Sequence, residues 1–291
     1  MDDLRQALKE HILVLDGAVG TELMRRGGRG CLEAMVLDNE AAVHESYLDA
    51  GADIVTTDTL CADALCLEHH GLSERSYEIA RRAAEIARAC VERYSAGSRR
   101  RFVAGSVGPS TRNISLANDV TEEQLGDVYE TVIRGLLDGG VDLILVETVM
   151  DSRNASIAVE RCRRLNAEIP IAVSAVLSRL EGRVANGAPI ATFLKELPMD
   201  DIALVGFNCS SSPRAMGASL ETLAAGCDNP IVAYPAAGEP AVGAEAFARG
   251  MEEFCRKGLV NVVGGCCGTT PEYISRLSSM ASRYAPRTFA L

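Results

Sequence analysis

The residues of this chain best suited to chemistry are cysteines at the ends of apolar runs. Cys209 ends one run, and Cys266 and Cys267 end another, inside Gly264-Gly265-Cys266-Cys267-Gly268. Thiolates are soft ligands. Three of them meeting at one point make a zinc site with a fourth position open, the pattern of a catalytic rather than a structural centre. Adjacent residues on a regular strand point to opposite faces, so Cys266 and Cys267 converge only if the chain leaves the extended conformation there. Gly264, Gly265 and Gly268 supply the backbone freedom for such a bend. The rival reading is three buried cysteines acting as small apolar side chains. The glycine-flanked pair, matched by a third Cys at another run's end, favours zinc.

Two further groups accompany the thiols. Asp16-Gly17-Ala18-Val19-Gly20-Thr21 follows the first apolar run. Two glycines beside a helix start expose backbone N–H groups that suit a carboxylate or phosphate; the alternative is a tight turn capped by Thr21. Glu147 ends the fourth run. It could bind a substrate ammonium, act as a base or pair with an arginine. A zinc ion, an anion cradle and a carboxylate at one opening together suit a zwitterionic amino acid that carries a thiol.

The elements that must position these groups repeat along the chain. Eight apolar runs are each followed by a turn and a helical stretch: Ile12–Asp16, Asp53–Asp58, Phe102–Val107, Leu143–Thr148, Ile171–Leu177, Ala203–Cys209, Ile231–Tyr234 and Val260–Cys266. Near-continuous apolar character marks strands buried on both faces, as in a parallel sheet. Between them, Ser76–Tyr94 has apolar residues at helical spacing, with Arg81, Arg82 and Glu85 interleaved. Thr121 and Gln124 form a capping-box signal before Leu125–Leu137. Thr270-Pro271-Glu272 opens a helix over Tyr273–Tyr284, and Met1–Glu10 reads as a leading helix. Eight strand–helix units predict an α/β fold, a (β/α)8 TIM barrel of one domain spanning 1–291, since barrels typically take ~250 residues. A doubly wound open sheet is the alternative. In a barrel the active site lies at the C-terminal strand ends, where all the groups above fall.

Composition removes other classes. The chain is 47% hydrophobic and 24% charged, which excludes disorder. A net charge of −11, with no basic cluster longer than Arg99-Arg100-Arg101, argues against nucleic acid and anionic membranes. No apolar run spans a bilayer, and the N-terminus lacks a signal-peptide pattern. Ten cysteines without an export signal imply a reducing compartment, the cytoplasm. Cys31, Cys61, Cys66, Cys90, Cys162, Cys227 and Cys255 are assigned to core or surface, with Cys61 and Cys66 the weaker candidates as ligands. His69-His70 is assigned to the surface.

The motifs Leu15-Asp16-Gly17-Ala18-Val19-Gly20-Thr21, Gly206-Phe207-Asn208-Cys209 and Gly264-Gly265-Cys266-Cys267-Gly268-Thr269-Thr270-Pro271 resemble those of the homocysteine S-methyltransferase family. The similarity runs from His11 to about Leu277. His11–Gly17 and Gly51–Thr59 most resemble the homocysteine-binding module of cobalamin-dependent methionine synthase. The resemblance implies a (β/α)8 barrel with Zn²⁺ on Cys209, Cys266 and Cys267, and homocysteine thiolate in the open position. It further implies that the Asp16–Thr21 loop, through backbone groups of Ala18–Thr21, holds the amino-acid end. Glu147 takes the ammonium, and Asn208 stands among the substrate contacts. The implied reaction is methyl transfer to homocysteine, giving methionine.

Two positions depart from the family pattern. Ala236 stands where a Pro-Asn-Ala-Gly turn usually has Asn, and Asp58 where the methionine synthase branch usually has Asn. The expected donor is a methylcorrinoid, methylcobalamin supplied by another domain or protein, because no corrinoid- or folate-binding segment is visible in this sequence. S-methylmethionine or a betaine-type ammonium is the alternative donor. With no Trp and 4% aromatic residues, a cage for a quaternary ammonium is poorly provided for. The reading from another class is a non-catalytic zinc-thiol protein that binds homocysteine.

Overall fold

The computed structural model describes residues 2–34, 41–95, 99–116, 119–180, 182–210 and 212–289. The eight runs become eight parallel strands: β1 (Leu13–Val14), β2 (Ile54–Thr56), β3 (Phe102–Val107), β4 (Leu143–Val149), β5 (Ile171–Val176), β6 (Leu204–Asn208), β7 (Ile231–Tyr234) and β8 (Val262–Val263). Each pairs with its sequence neighbour, and β1 pairs with β8. A parallel bridge between Leu15 and Ile54 joins β1 to β2 and closes the ring. This closure excludes the doubly wound alternative. The fold is a (β/α)8 barrel.

Side-chain alternation sorts the core into two layers. Outward residues such as Val14, Val55, Val103, Ile144, Val173 and Val205 pack under the helices. Inward residues Leu13, Leu15, Ile54, Phe102, Ala104, Leu143, Leu145, Ala172, Leu204, Val232 and Val262 fill the barrel. At the N-terminal end of the strands, Leu4 and Leu8 of α1 (Asp2–Glu10) join that inner cluster. Met1, the first residue of the expected leading helix, lies outside the described residues. Continuing the inward series in steps of two reaches Ser106, Glu147, Ser174 and Tyr234, and on β6, past Gly206, Asn208, all buried. The inner surface therefore turns from apolar to polar at the C-terminal mouth.

The remaining helices follow the strands in order: α2 (Val19–Arg25) and α3 (Ala41–Asp49) after β1, α4 (Ala64–Leu67) and α5 (Ser76–Tyr94) after β2, then α6 (Glu122–Asp138), α7 (Ser152–Leu165), α8 (Ile190–Glu196), α9 (Pro213–Gly226), α10 (Ala244–Arg256) and α11 (Pro271–Ala281). In α5, Ile79, Ala83, Ile86, Ala87 and Cys90 are buried, while Arg81 pairs with Glu85 on the outer face. The Thr121–Gln124 capping box is present in both directions and supplies about 1 kcal/mol to α6. Pro271 opens α11, but Thr270 makes no side-chain cap, and the helix ends at Ala281 rather than Tyr284.

The basic run is consumed internally. Arg99 and Arg101 both pair with the buried Asp53, and Arg100 pairs with Asp3 and, at 3.8 Å, Asp142. It offers no free cationic patch. His69 and His70 are exposed, and Cys90, Cys162 and Cys255 are buried, as expected. No described helix is long and apolar enough to cross a membrane.

Candidate metal centre

The three predicted thiols meet. Cys209 Sγ lies 3.2 Å from Cys267 Sγ, and the sulfurs of Cys209, Cys266 and Cys267 all lie within 4.8 Å of one another. A tetrahedral zinc with Zn–S near 2.3 Å needs sulfurs about 3.7 Å apart, so this donor set fits the ion in type and spacing. It is the one group of three such donors among the described residues, so Cys61 and Cys66 do not join a triad. The thiols already share charge. Hydrogen bonds from Cys209 and Cys266 pull the Cys267 thiol below the usual thiol range, while Cys266 is pushed well above it by its hydrogen bonds to Cys209 and Cys267 and by burial. Cys267 is exposed and the other two are partly so, which leaves the cluster open to the mouth.

The end of β7 holds both cysteine segments. The Cys209 N–H donates to the Tyr234 carbonyl (3.2 Å), the Cys266 N–H to the Pro235 carbonyl (2.9 Å), and the Ala237 N–H to the Cys267 carbonyl (2.9 Å). Cys209 takes a left-handed φ of 51°, which ends β6. Cys266 and Cys267 enter a turn that Thr269 closes, its N–H and hydroxyl both donating to the Cys266 carbonyl (3.1 and 2.7 Å). The predicted departure from extended chain is confirmed, with a correction about the glycines. Only Gly268 uses a positive φ, 81°. Gly264 and Gly265 are needed for space instead: a Cβ on Gly265 would sit 2.5 Å from Thr269 Oγ1, and one on Gly264 2.8 Å from Leu15 Cβ.

Glu147 faces the same mouth, placed by a register shift between Val146 and Val149. Such irregularities re-aim side chains at sheet ends. Thr148, inside the shift, adopts φ 59°, a strained setting for a β-branched residue. Glu147 accepts from Ser106 Oγ (2.5 Å) and the Tyr234 hydroxyl (3.0 Å), and forms no ion pair among the described residues. The arginine-pairing alternative therefore falls. Burial pushes its carboxyl above the usual range, against those two hydrogen bonds, and the nearby Cys267 charge adds to the rise. Asp16 is likewise raised by burial despite accepting from the Thr56 N–H (2.7 Å) and hydroxyl (3.0 Å). Glu147 and Asp16 are thus buried carboxylates that form no ion pair among the described residues.

The Asp16–Thr21 loop runs beside the cysteine turn. Ala18 is the N-cap of α2 but makes no side-chain cap, and Thr21 lies within the helix rather than capping it. Thr21 Oγ1 instead accepts from the Gly268 N–H at 3.4 Å. The Ala18 N–H is taken by Thr269 Oγ1 (3.3 Å), and the Tyr47 hydroxyl donates to the Ala18 carbonyl (3.1 Å). A Cβ on Gly17 would lie 2.7 Å from the Tyr47 ring, so Gly17 is there for close approach. The first-turn N–H groups of Val19, Gly20 and Thr21 have no acceptor within the helix. Asn208, expected among the substrate contacts, lies beneath the cysteine turn. It is fully buried with both ends of its amide engaged, which gives it the geometry of a bracing residue. Asp58 is buried, and Ala236 sits partly exposed in the Pro235–Ala237 turn.

Sequence reasoning placed Ser106, Tyr234 and Thr269 at strand ends without these roles, and missed Tyr47. Alternation along β3 and β7 would have pointed Ser106 and Tyr234 inward; nothing local marked Tyr47. The exposed large apolar side chains among the described residues, Met24, Leu60, Leu116, Met150 and Leu180, lie singly on the five segments that follow β1 to β5.

The chain is similar to solved structures of one enzyme over nearly its whole length. The homocysteine methyltransferase MmuM from Escherichia coli, in its metallated form, matches with a TM-score of 0.80 at 25% identity, covering 95% of this chain and 99% of that one. Its oxidised form matches with a TM-score of 0.78 at 26% identity, covering 92% and 95%. Its apo form gives 0.72 at 25% identity, covering 94% and 97%. The family model for homocysteine S-methyltransferase matches residues 13–281, and the chain belongs to that family.

Proposed function

We propose that this protein transfers a methyl group to the sulfur of homocysteine, giving methionine, with Zn²⁺ held by Cys209, Cys266 and Cys267. The observation that carries the reading is the meeting of three thiols at the barrel mouth. The family membership and the likeness to a metallated homocysteine methyltransferase support it. When bound, zinc supplies Lewis acidity that keeps a coordinated thiol deprotonated near neutral pH.

The chain's own residues orient the substrate. Glu147 receives the ammonium: it is a buried carboxylate, supported by neutral donors and lacking a cation. The first-turn N–H groups of α2 face the substrate carboxylate. Tyr234 and Ser106 keep Glu147 from swinging away. The β7 end, bonded to both cysteine segments, holds the thiols to one point.

The first reading of the donor is a methylcorrinoid carried by another protein or domain. The resemblance of His11–Gly17 and Gly51–Thr59 to the homocysteine-binding module of cobalamin-dependent methionine synthase supports it. A small cationic donor, S-methylmethionine or a betaine, is the second reading. Asp16 and Glu147, buried without ion pairs, favour a positive charge. Tyr234 is buried with its hydroxyl on Glu147, which favours a sulfonium over a caged quaternary ammonium.

The test is a donor panel with zinc-loaded protein and homocysteine: a methylcorrinoid protein, S-methylmethionine and a betaine. Methionine formed from one donor supports the proposal and names the branch. Tight homocysteine binding without turnover on any of the three identifies a non-catalytic thiol-binding protein.

A further inference from the structure

We infer that Asn208 is a positioning residue that orients the Cys266 sulfur and steadies the turn at Cys209, through an amide locked from neighbouring strands. The inference rests on the metal-binding reading above.

Asn208 lies inside the barrel, 0% exposed. Its Oδ1 accepts from Ser174 Oγ on β5 (2.9 Å) and from the Thr148 N–H at the end of β4 (3.0 Å). A backbone N–H is only a donor, so the Thr148 bond fixes which end of the amide is oxygen. The Nδ2 group must then face the other way. There it donates to Thr148 Oγ1 (3.0 Å) and reaches toward Cys266 Sγ (3.9 Å). Nδ2 has two hydrogens and these are two acceptors, so the amide is fully engaged.

Thr148 is built for this clasp. Its left-handed φ of 59° lets its own N–H and hydroxyl meet the same amide. The irregular end of β4, which aims Glu147, is thus tied to the strand that carries Cys209. Cys209 follows Asn208 directly and is itself left-handed, at φ 51°. Slack in the Asn208 side chain passes to Cys209 through the backbone and to Cys266 through the N–H. An N–H aimed at a ligand sulfur orients it and tempers its electron donation, the usual task of groups just outside a metal's ligands.

The experiment uses full-length protein with Zn²⁺ and Co²⁺ as probes, on wild type, Asn208→Ala and Ser174→Ala. Zinc affinity is read by competition with a chromophoric chelator. The sulfur-to-cobalt charge-transfer band reads the sulfur itself, and thermal unfolding of metal-free protein reads the scaffold. Asn208→Ala should weaken zinc binding about 10–100-fold and move the band to lower energy, because a sulfur without its N–H donor gives up charge more easily. Ser174→Ala removes one of the two anchors on Oδ1 and lies on a strand with none of the three cysteines. It should shift both readings the same way by less. An unmoved band in both folded variants, with affinity loss tracking lost stability, overturns the inference. If Asn208→Ala does not fold, an unmoved band in Ser174→Ala overturns it alone. Failure of the wild type to bind either metal would instead remove the metal-binding reading, a separate outcome.

Discussion

The Tyr234 hydroxyl donates to Glu147 Oε2 at 3.0 Å, joining the end of β7 to the irregular end of β4 inside the barrel mouth. Ser106 occupies the other carboxylate oxygen. Glu147 is therefore fixed in place by neutral groups, with its charge uncompensated. Glu147→Gln keeps the size and much of the hydrogen bonding but removes that charge. Loss of a charge-assisted hydrogen bond should weaken homocysteine binding by ~1.5–3 kcal/mol, roughly ten- to a hundred-fold, while zinc content stays unchanged. A thiol without an amino group should bind both proteins equally. Calorimetry with the two thiols checks this. Unchanged homocysteine affinity in folded, zinc-loaded variant removes Glu147 from the site.

The same residue makes a prediction about pH. Burial raises the Glu147 carboxyl above its value in the unfolded chain. The folded state therefore favours the protonated form. This stabilising contribution is full below the unfolded carboxylate pKa and is lost as pH rises through the folded one. In metal-free, substrate-free protein, Glu147→Gln should raise the Tm at neutral pH, and the gain should shrink in acid. Each 1 kcal/mol is worth roughly 2–4 °C in a chain somewhat smaller than this one. Asp16, raised in the same direction, leaves a residual pH dependence in the variant. Thermal scans across pH decide it: an equal difference at every pH contradicts the burial account.

Gly265→Ala tests the packing beneath the cysteine turn. The added methyl would meet Thr269 Oγ1 at 2.5 Å, and that hydroxyl bonds both the Cys266 carbonyl and the Ala18 N–H. Overpacking of this kind typically costs ~1–3 kcal/mol. The variant should lose stability and metal affinity together, by unfolding and metal titration. Wild-type values for both would show that the turn has room.

Much of this arrangement was legible in the sequence. β3, β7 and α5 have the bounds read from apolar runs and helical spacing, because their residues stay regular to the ends. β1 and β8 proved much shorter than their apolar runs. Val, Leu and Gly there look strand-like, yet beyond Val263 the chain bonds to Ala233, Asp16 and Pro235 in succession instead of keeping one ladder. The shift around Thr148 was hidden, since Thr is a good strand residue and the Asn208 amide that its left-handed backbone meets lies 60 residues away in sequence. The bracing partners of Asn208 were hidden as well, because they come from β4 and β5, far away in sequence. The thiol cluster was the clearest signal, since a glycine-flanked cysteine pair at one strand end, matched by a third cysteine at another, has few other uses.

Replacing each thiol separately tests ligand identity. Cys209→Ser, Cys266→Ser and Cys267→Ser should each lose most of the bound metal, because a hydroxyl replaces a thiolate poorly on zinc. Elemental analysis of purified protein reads this directly, against about one zinc per chain in the wild type. Full retention in all three variants contradicts the site.

The central claim is that three cysteine sulfurs hold zinc with a fourth position kept for the substrate's sulfur. X-ray absorption at the zinc edge, before and after adding homocysteine, tests it most directly. The account predicts three sulfur neighbours from Cys209, Cys266 and Cys267, rising to four with homocysteine and not with methionine, whose neutral thioether is a weaker ligand. A sulfur count that homocysteine leaves unchanged would contradict it.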